Sequence, residues 1–326
     1  MSNSAFGTVR NNQTIDPAVM RGWGTRYFNW QFSAGVQREL AKGVSVDVGY
    51  FRTWFGNFTV TDDRSIGPND FDSDTLKVPS DSRLPGGGGY TLSGLYDLKP
   101  AKFGTPADNF VTFSKHFGKQ YLHWNGVDVN VNARPTSSIL MTGGVSTGRQ
   151  TTDNCDVASK VPEGLLGATL LGVANAGVWL PQQYCHQQEN FLTQFKFTGS
   201  YTIPRIDVRL SGSLQNGPGP VINASYVATV AEVQPSLGRP LAGAARDVTV
   251  NIVEPGTMYG DRYTQVDMRI AKILRVGARR VTPQLDIYNL LNSNVVTAMS
   301  NAYATWQRPQ GVMPARFIKV GVQINF

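Results

Sequence analysis

The chain has 326 residues, of which 41% are hydrophobic, and a formal net charge of +7 at pH 7. It contains no uninterrupted run of 18 apolar residues, which excludes a transmembrane helix, and its N-terminus lacks the basic start and apolar stretch of a signal peptide. The basic residues are scattered, with no run longer than Arg279-Arg280, so the sequence does not predict a nucleic-acid-binding protein.

Apolar and polar residues alternate along the chain with a period of two, which predicts β-strands, whereas a helical period is almost absent. The strands come in four pairs, each joined by a short connection, and a ninth stands alone at the end of the chain. The predicted strands are 27–40 and 44–60, 123–133 and 138–148, 191–201 and 206–215, 263–274 and 281–291, and finally 314–326.

Short and long connections alternate strictly between these strands. The long ones are 61–122, 149–190, 216–262 and 292–313, whereas loops in compact soluble domains have a median length of about 4–6 residues. Short turns at one edge of a sheet and long loops at the other are typical of bacterial outer-membrane barrels. The predicted fold is therefore all-β: an antiparallel up-and-down transmembrane β-barrel portion of about nine strands, with short periplasmic turns and long extracellular loops.

The composition of the two strand faces favours the same interpretation. In 263–274, Val266, Met268 and Ile270 share one side. The other side of the strands carries Asp, Arg, Asn, Gln and Ser, as expected for the hydrated inside of a wide barrel. Aromatic residues near strand ends suit interfacial girdles, although ordinary sheets have them too; they are Trp30, Tyr50, Trp54 and Tyr201. The residues predicted to face the lumen are Asp128, Asp207, Arg209, Asp267, Arg269 and Asp286.

Residues 254–294 and 306–326 resemble the C-terminal barrel end of TonB-dependent outer-membrane receptors, in the group whose members begin with a carboxypeptidase-regulatory-like domain. The resemblance is good from about residue 185 to 326 and thinner before it. It rests on three elements: Asp267-x-Arg269-x-x-Lys272, then Asp286-x-Tyr288-Asn289-x-x-Asn292, and the closing strand from Arg316 to Phe326.

The resemblance implies a location in the bacterial outer membrane and no cofactor. It implies a receptor or transporter for an unidentified ligand, with this chain forming barrel wall and ligand-capturing loops. Residues 1–24 then correspond to the remnant of an extracellular loop and 25–326 to the last strands. The implied partners are membrane lipid, the barrel-assembly machinery that reads Phe326 as a signal, the remaining strands and plug of the receptor, and TonB. These 326 residues contain no plug and too few strands for a barrel of about 22, so the chain matches the C-terminal part of such a receptor.

A nucleophile motif in the sequence suggests a different function, that of a serine hydrolase. Gly144-Val145-Ser146-Thr147-Gly148 has the G-x-S-x-G pattern of serine hydrolases, and Asp153 or Asp156 and then His186 follow in the order that a triad needs. The mechanism requires a strand, a tight turn and a helix around the serine, and the residues after Gly148 show no helical period. A small self-closing barrel of eight or ten strands is a third alternative.

Two groups of residues suggest ions or cross-links. Asp70, Asp72 and Asp74 are spaced like the start of a calcium loop, without the glycine and glutamate that normally complete it. The histidines, His116, His123 and His186, have no metal-ligand spacing. Cys155 and Cys185 bracket one polar segment, which suits a disulfide in an oxidising compartment, and two free thiols are an equal alternative.

Overall fold

The computed structural model describes residues 13–166, 169–170, 173–174, 177–277 and 279–326. The strands are β1 Gln13–Ile15, β2 Phe28–Ala41, β3 Val44–Gly56, β4 Thr59–Asp63, β5 Phe71–Lys77, β6 Thr91–Leu98, β7 Asn109–Phe113, β8 Tyr121–Thr136, β9 Ile139–Asp153, β10 Thr169–Leu170, β11 Val173–Ala174, β12 His186–Gln188, β13 Leu192–Ile203, β14 Val208–Gly217, β15 Ser225–Thr229, β16 Asp247–Asn251, β17 Tyr263–Lys272, β18 Leu274–Val276, β19 Arg279–Tyr288, β20 Val296–Met299, β21 Pro309–Val312 and β22 Phe317–Asn325.

Helices are few and short. The α-helices are α1 Pro17–Met20, α2 Cys155–Ala158 and α3 Val230–Leu237, and single 3₁₀ turns occur at Pro68–Asp70, Pro85–Gly87, Pro100–Lys102, Ser114–His116, Pro162–Leu165, Gln182–Tyr184, Ala242–Ala244 and Tyr303–Thr305. In the described ranges, none of the helices combines the length and the apolar character needed to cross a bilayer.

One antiparallel sheet of eleven strands dominates the molecule. Its long strands follow each other in chain order, β2-β3-β8-β9-β13-β14-β17-β19-β22, with the short β12 beside β9 and the short β18 beside β19. The chain therefore runs up and down, as the alternating connections predict. The sheet is open, because β2 pairs only with β3 and β22 only with β19 among the described residues.

Asparagines in the left-handed conformation end two of the long strands. Asn57 has a φ of 58°, so the predicted strand 44–60 stops at Gly56, and the chain leaves the sheet as β4. Asn289 has a φ of 50°, and β19 ends one residue before it. Asparagine adopts this conformation more readily than most residues, so the local sequence permits both breaks.

The described residues of the four long connections, 57–120, 154–191, 218–262 and 289–316, lie together at one edge of the sheet and form what we call the cap. The cap has a hydrophobic core of its own, in which Leu76, Leu92, Val250 and Ile252 are fully buried. The remaining connections are tight and lie at the opposite edge, which we call the turn edge. Residues 13–24, predicted as a loop remnant, join the cap side through β1, which pairs with β7; residues 1–12 lie outside the described part of the chain.

Candidate functional site

One face of the eleven-stranded sheet is largely apolar. Cross-strand register aligns its apolar residues into rows that run from strand to strand. One row is Val36, Val48, Val129, Val145 and Phe195, and another is Ile139, Tyr201, Leu210, Ile270, Leu285 and Val320. A slip of one residue at any strand would exchange its two faces, so the pairing register keeps these rows apolar. Nearer the cap the same face also carries a polar row of Arg52, Asn125 and Arg149.

Much of the apolar face is exposed. On β22, Val320 is 77% exposed and Val322 is 62% exposed, and on β2 Val36 is 71% exposed. Aromatic side chains lie near both ends of the face: Trp30 is paired with Trp54 next to the cap, and Tyr201 lies near the turn edge. Isolated exposed apolar residues are normal in soluble proteins, but a contiguous apolar surface of this extent marks contact with lipid or with another apolar surface.

The opposite face is mainly polar, with a few aromatic residues such as Phe51 and Trp124 among the polar ones. Its cross-strand rows contain acids, bases and amides; one of them is Gln37, Asp47, Asn130, Gly144, Lys196, Gln215 and Gln265. Two concavities open on this side, of about 420 Å³ beside Asp47 and Lys196 and about 260 Å³ beside Asp267 and Arg269. The two faces of the sheet therefore differ in polarity.

Most of the acids and bases predicted to face the lumen lie on this polar face. Asp128 accepts a hydrogen bond from Ser146, and Arg269 forms an ion pair with Asp286 at 2.5 Å. Arg209 donates to the hydroxyl of Thr202 at 3.4 Å. Asp207 differs from the expectation, because β14 begins only at Val208 and Asp207 lies in the preceding turn, where its carboxylate accepts from Arg275 at 2.6 Å.

Hydrogen bonds of the motif residues near the C-terminus connect the last three long strands, β17, β19 and β22. Asp267 on β17 accepts a hydrogen bond from the backbone N–H of Asn289 at 2.9 Å. The side chain of Asn289 donates to the carbonyls of Ser293 and Pro314, both at 2.8 Å. Asn292, also left-handed, accepts from the N–H of Arg316 at 3.0 Å. The spacing of these residues is therefore explained by the way β19 stops and the chain returns to begin β22.

The serine hydrolase interpretation is wrong for this fold. Ser146 lies in the middle of the continuous strand β9, with no turn or helix after it. His186 bonds to Asp153 at 2.9 Å, but Asp153 is seven residues further along the strand, or about 23 Å at the usual rise per residue. Asp156 instead accepts from the backbone of Lys119 at 3.0 Å. The serine, acid and base therefore never meet.

The weak calcium prediction is also wrong. Asp70 accepts from the N–H of Gly67 at 2.9 Å and caps a 3₁₀ turn, while Asp72 is paired with Arg239 at 2.8 Å. Asp74 is buried in β5. The carboxylates have separate partners instead of one shared centre, and no cluster of three or more acidic, histidine or cysteine residues suitable for a metal occurs within the described ranges.

Charged groups and a disulfide fasten the cap. Cys155 and Cys185 form a disulfide that closes the segment between β9 and β13. Arg239 joins two separate parts of the cap: its guanidinium contacts Asp72 and, at 2.5 Å, Asp97. Since Asp72 and Asp97 belong to the β5–β6 hairpin and Arg239 follows α3, this cluster fixes the hairpin against the helix.

Two cap carboxylates have opposite pKa shifts. Burial raises the pKa of Asp74 to about 6, and the nearby charge of Asp97 adds to the effect. The pKa of Asp81 is held well below its usual value, chiefly by hydrogen bonds from Arg83, and Tyr303 also donates to it. Arg83 in turn donates to the carbonyl of Trp306 at 3.1 Å.

Sequence reasoning missed the packed core of the cap. One of its members is Trp306, which is only 3% exposed and whose indole N–H donates to the carbonyl of Asn223 at 2.8 Å. One local signal was present. Thr229 and Glu232 have the spacing of a capping box, and Gly238 has the left-handed conformation that ends a helix; they bound α3. No local sequence signal predicts the core, because its residues come from all four long connections.

No protein-family model matches the sequence, and no curated protein matches it. Among solved structures, the chain is similar to the FpvAI–pyocin S2 complex, to P. aeruginosa FpvA bound to heterologous pyoverdines, and to the outer membrane transporter YddB from Escherichia coli. The identities are 9%, 8% and 9%, the TM-scores are 0.41, 0.41 and 0.45, and the matches cover 90%, 90% and 91% of this chain.

The chain spans only 26%, 26% and 32% of the length of those three proteins. At such identities and TM-scores these likenesses carry no argument about function. The functional interpretation therefore depends on the two faces of the sheet, its open edges and its cap.

Proposed function

We propose that the chain is part of the membrane-spanning wall of a TonB-dependent outer-membrane receptor, and that its cap is the extracellular part that first contacts the ligand. The observation that carries this proposal is the largely apolar, exposed face on a sheet whose other face is mainly polar. A hydrocarbon environment removes the cost of exposing such a face to water, which is roughly 25 cal/mol for each Å². The strands of an outer-membrane barrel alternate in this way.

The open edges of the sheet support a larger barrel. An unpaired strand edge in a bilayer leaves backbone N–H and C=O groups without partners, which costs several kcal/mol for each group. We propose that further strands of the same polypeptide pair with β2 and β22 and close the wall. A small self-closing barrel would instead need β2 to pair with β22, and these strands are not paired in the structure.

The polar face then lines the interior. Its ion pairs and amides, among them Arg269–Asp286, suit contact with water and with a plug domain that TonB acts upon. The disulfide in the cap is consistent with an oxidising environment outside the cytoplasm. Phe326, 90% exposed after the end of β22, is accessible to the assembly machinery that inserts such barrels.

Fractionation of the source cells tests this proposal. An antibody raised against the cap should detect a polypeptide larger than 35.6 kDa, the mass of this chain, in the outer-membrane fraction. A 35.6 kDa species in the soluble fraction would contradict the proposal. A 35.6 kDa membrane species whose gel migration shifts on heating would replace it with the small barrel.

A further inference from the structure

The positive charge of the molecule is concentrated at the turn edge. The segments 38–44, 134–139, 203–208 and 272–281 contain eight basic and two acidic residues, a side-chain charge of +6 out of the net +7. The cap contains 13 basic and 15 acidic residues, a side-chain charge of −2. We call the eight cations of the turn edge the turn rim; they are Arg38, Lys42, Arg134, Arg205, Lys272, Arg275, Arg279 and Arg280.

Most of the turn-rim cations have no acidic partner. Seven of the eight are exposed, and Arg280 is partly exposed. Within the described residues, Arg275 alone has a carboxylate within 4.0 Å, that of Asp207. The other acid of this edge, Glu39, accepts from the N–H of Gly43 at 2.8 Å. In the cap, by contrast, Arg64, Arg83, Lys99, Lys102 and Arg239 all have acidic partners.

Two arginines of the turn rim face each other across strands. Arg275 and Arg280 are directly opposite in the pairing of β18 with β19, and like charges in this position are destabilising. The Nε of Arg280 is buried without a hydrogen-bond partner. Arg280 shares a face of β19 with Asp286, so this pair lies on the polar side of the sheet and adds to the positive charge of the turn edge.

The turn rim adjoins the apolar face directly. Arg38 and Lys272 lie on the apolar side of the sheet, opposite Val46 and Val208. Leu274, 40% exposed, follows Lys272 by two residues. Long basic side chains at the end of an apolar span reach the headgroup region while their methylene groups remain in contact with hydrocarbon.

We propose that the turn rim binds the phosphate groups of anionic phospholipids in the membrane leaflet at the turn edge. The proposal rests on the membrane location proposed above and adds the lipid class that this edge selects. Arginine and lysine bind phosphate through charge-assisted hydrogen bonds. A row of cations continuous with a hydrocarbon-facing surface fits a lipid headgroup layer better than a nucleic acid, which would need an exposed basic surface remote from lipid.

Lipid selectivity can be measured with a fluorophore at the turn edge. The variant Leu274→Cys is prepared in the longest available form of the polypeptide, reconstituted in bilayers, and labelled with bimane. Both native cysteines are in the disulfide and do not react with the label. Quenching by brominated phosphatidylglycerol is compared with quenching by brominated phosphatidylcholine in mixed bilayers. We expect a several-fold preference for phosphatidylglycerol, which weakens as salt rises because exposed charges are screened over about 10 Å at 0.1 M.

A matched pair of charge variants tests whether the turn-rim cations cause the lipid preference. The turn-rim variant is Arg38→Gln, Lys42→Gln, Arg134→Gln and Arg205→Gln. The cap variant removes the same charge through Lys77→Gln, Lys119→Gln, Lys160→Gln and Arg246→Gln, all exposed. The preference should disappear in the first variant and persist in the second.

The outcomes separate the two proposals. Equal quenching by both lipids in the unmodified protein, or loss of the preference in the cap variant, would overturn the lipid proposal while leaving the membrane location intact. Absence of quenching by either brominated lipid would overturn the membrane location itself. If the turn-rim variant fails to insert, the salt dependence of the unmodified protein still decides, since a preference that salt does not weaken is not electrostatic.

Discussion

At the scale of single residues, three aspartates with the same spacing in the sequence have different environments in the structure. Asp70, Asp72 and Asp74 alternate along one segment, yet one caps a turn, one pairs with Arg239, and Asp74 is buried at 6% exposure. Burial opposes the negative charge of Asp74.

Asp74 should make the stability of the cap depend on pH. Its pKa is raised to about 6 in the folded state from 3.8, so the folded state binds the proton more tightly, and stability rises as pH falls from above 6 towards 4. Asp74→Asn should therefore stabilise the cap at pH 8 by about 3 kcal/mol, since each pKa unit corresponds to about 1.4 kcal/mol. Hydrogen-exchange protection of β5 and β6 at pH 5 and pH 8 measures this.

The control for that experiment is Asp108→Asn, since Asp108 is an exposed carboxylate paired with Arg64. It should leave the pH dependence of β5 and β6 unchanged. Equal protection of the unmodified protein at both pH values would show that Asp74 does not carry the effect.

Phe326 should affect assembly more than stability. Its ring is 90% exposed and contacts the guanidinium of Arg279 at 5.2 Å, so little packing is lost on truncation. Phe326→Ala should lower the amount of protein in the outer membrane several-fold, while the resistance of the inserted fraction to heat stays the same. The amount is measured by immunoblot of membrane fractions; an unchanged amount would remove the role proposed for this residue.

At the scale of elements, the long strands of the sheet were predictable and the cap was not. The period-two pattern of a strand is local, so 263–274 and 281–291 are recognisable without the fold. The cap depends on contacts between distant residues, such as Arg239 with Asp72, 167 positions apart, and Tyr303 with Asp81, 222 apart. The breaks at Asn57 and Asn289 lie between these cases, because asparagine permits but does not require the left-handed conformation.

The cap core should depend on Trp306. Trp306→Ala removes a side chain that is 3% exposed and a hydrogen bond to Asn223, which should cost about 3–5 kcal/mol. Limited proteolysis should then cut the cap faster while the sheet stays protected. Trp23→Ala is the control, because Trp23 is fully exposed; equal cleavage of the two variants would argue against a cooperative core.

The disulfide should stabilise one segment of the cap. It joins cysteines 30 residues apart, and closing a loop of that length contributes about 3–4 kcal/mol in the chain-entropy model. Replacing both cysteines with serine should expose 154–191 to protease while β2 and β3 remain protected. Cleavage sites identified by mass spectrometry measure this, and an unchanged cleavage pattern would contradict it.

At the scale of the whole molecule, three features coincide along one axis. The cap lies at one edge of the sheet, the turn rim with most of the net positive charge lies at the other, and the apolar face lies between them. Most of the net charge of +7 lies beside the apolar face, which suits the lipid headgroup layer proposed above. The roles proposed for the cap and for the turn rim both depend on the apolar face.

That face is tested most directly on β22, where neighbouring residues point in opposite directions. Single cysteines at Val320, Val322, Lys319 and Gln323, each labelled with a fluorophore in bilayers, compare the two faces. A brominated lipid should quench the labels at Val320 and Val322, whose side chains are 77% and 62% exposed, and aqueous iodide should quench those at Lys319 and Gln323. Equal accessibility to iodide at all four positions would contradict a lipid-facing sheet.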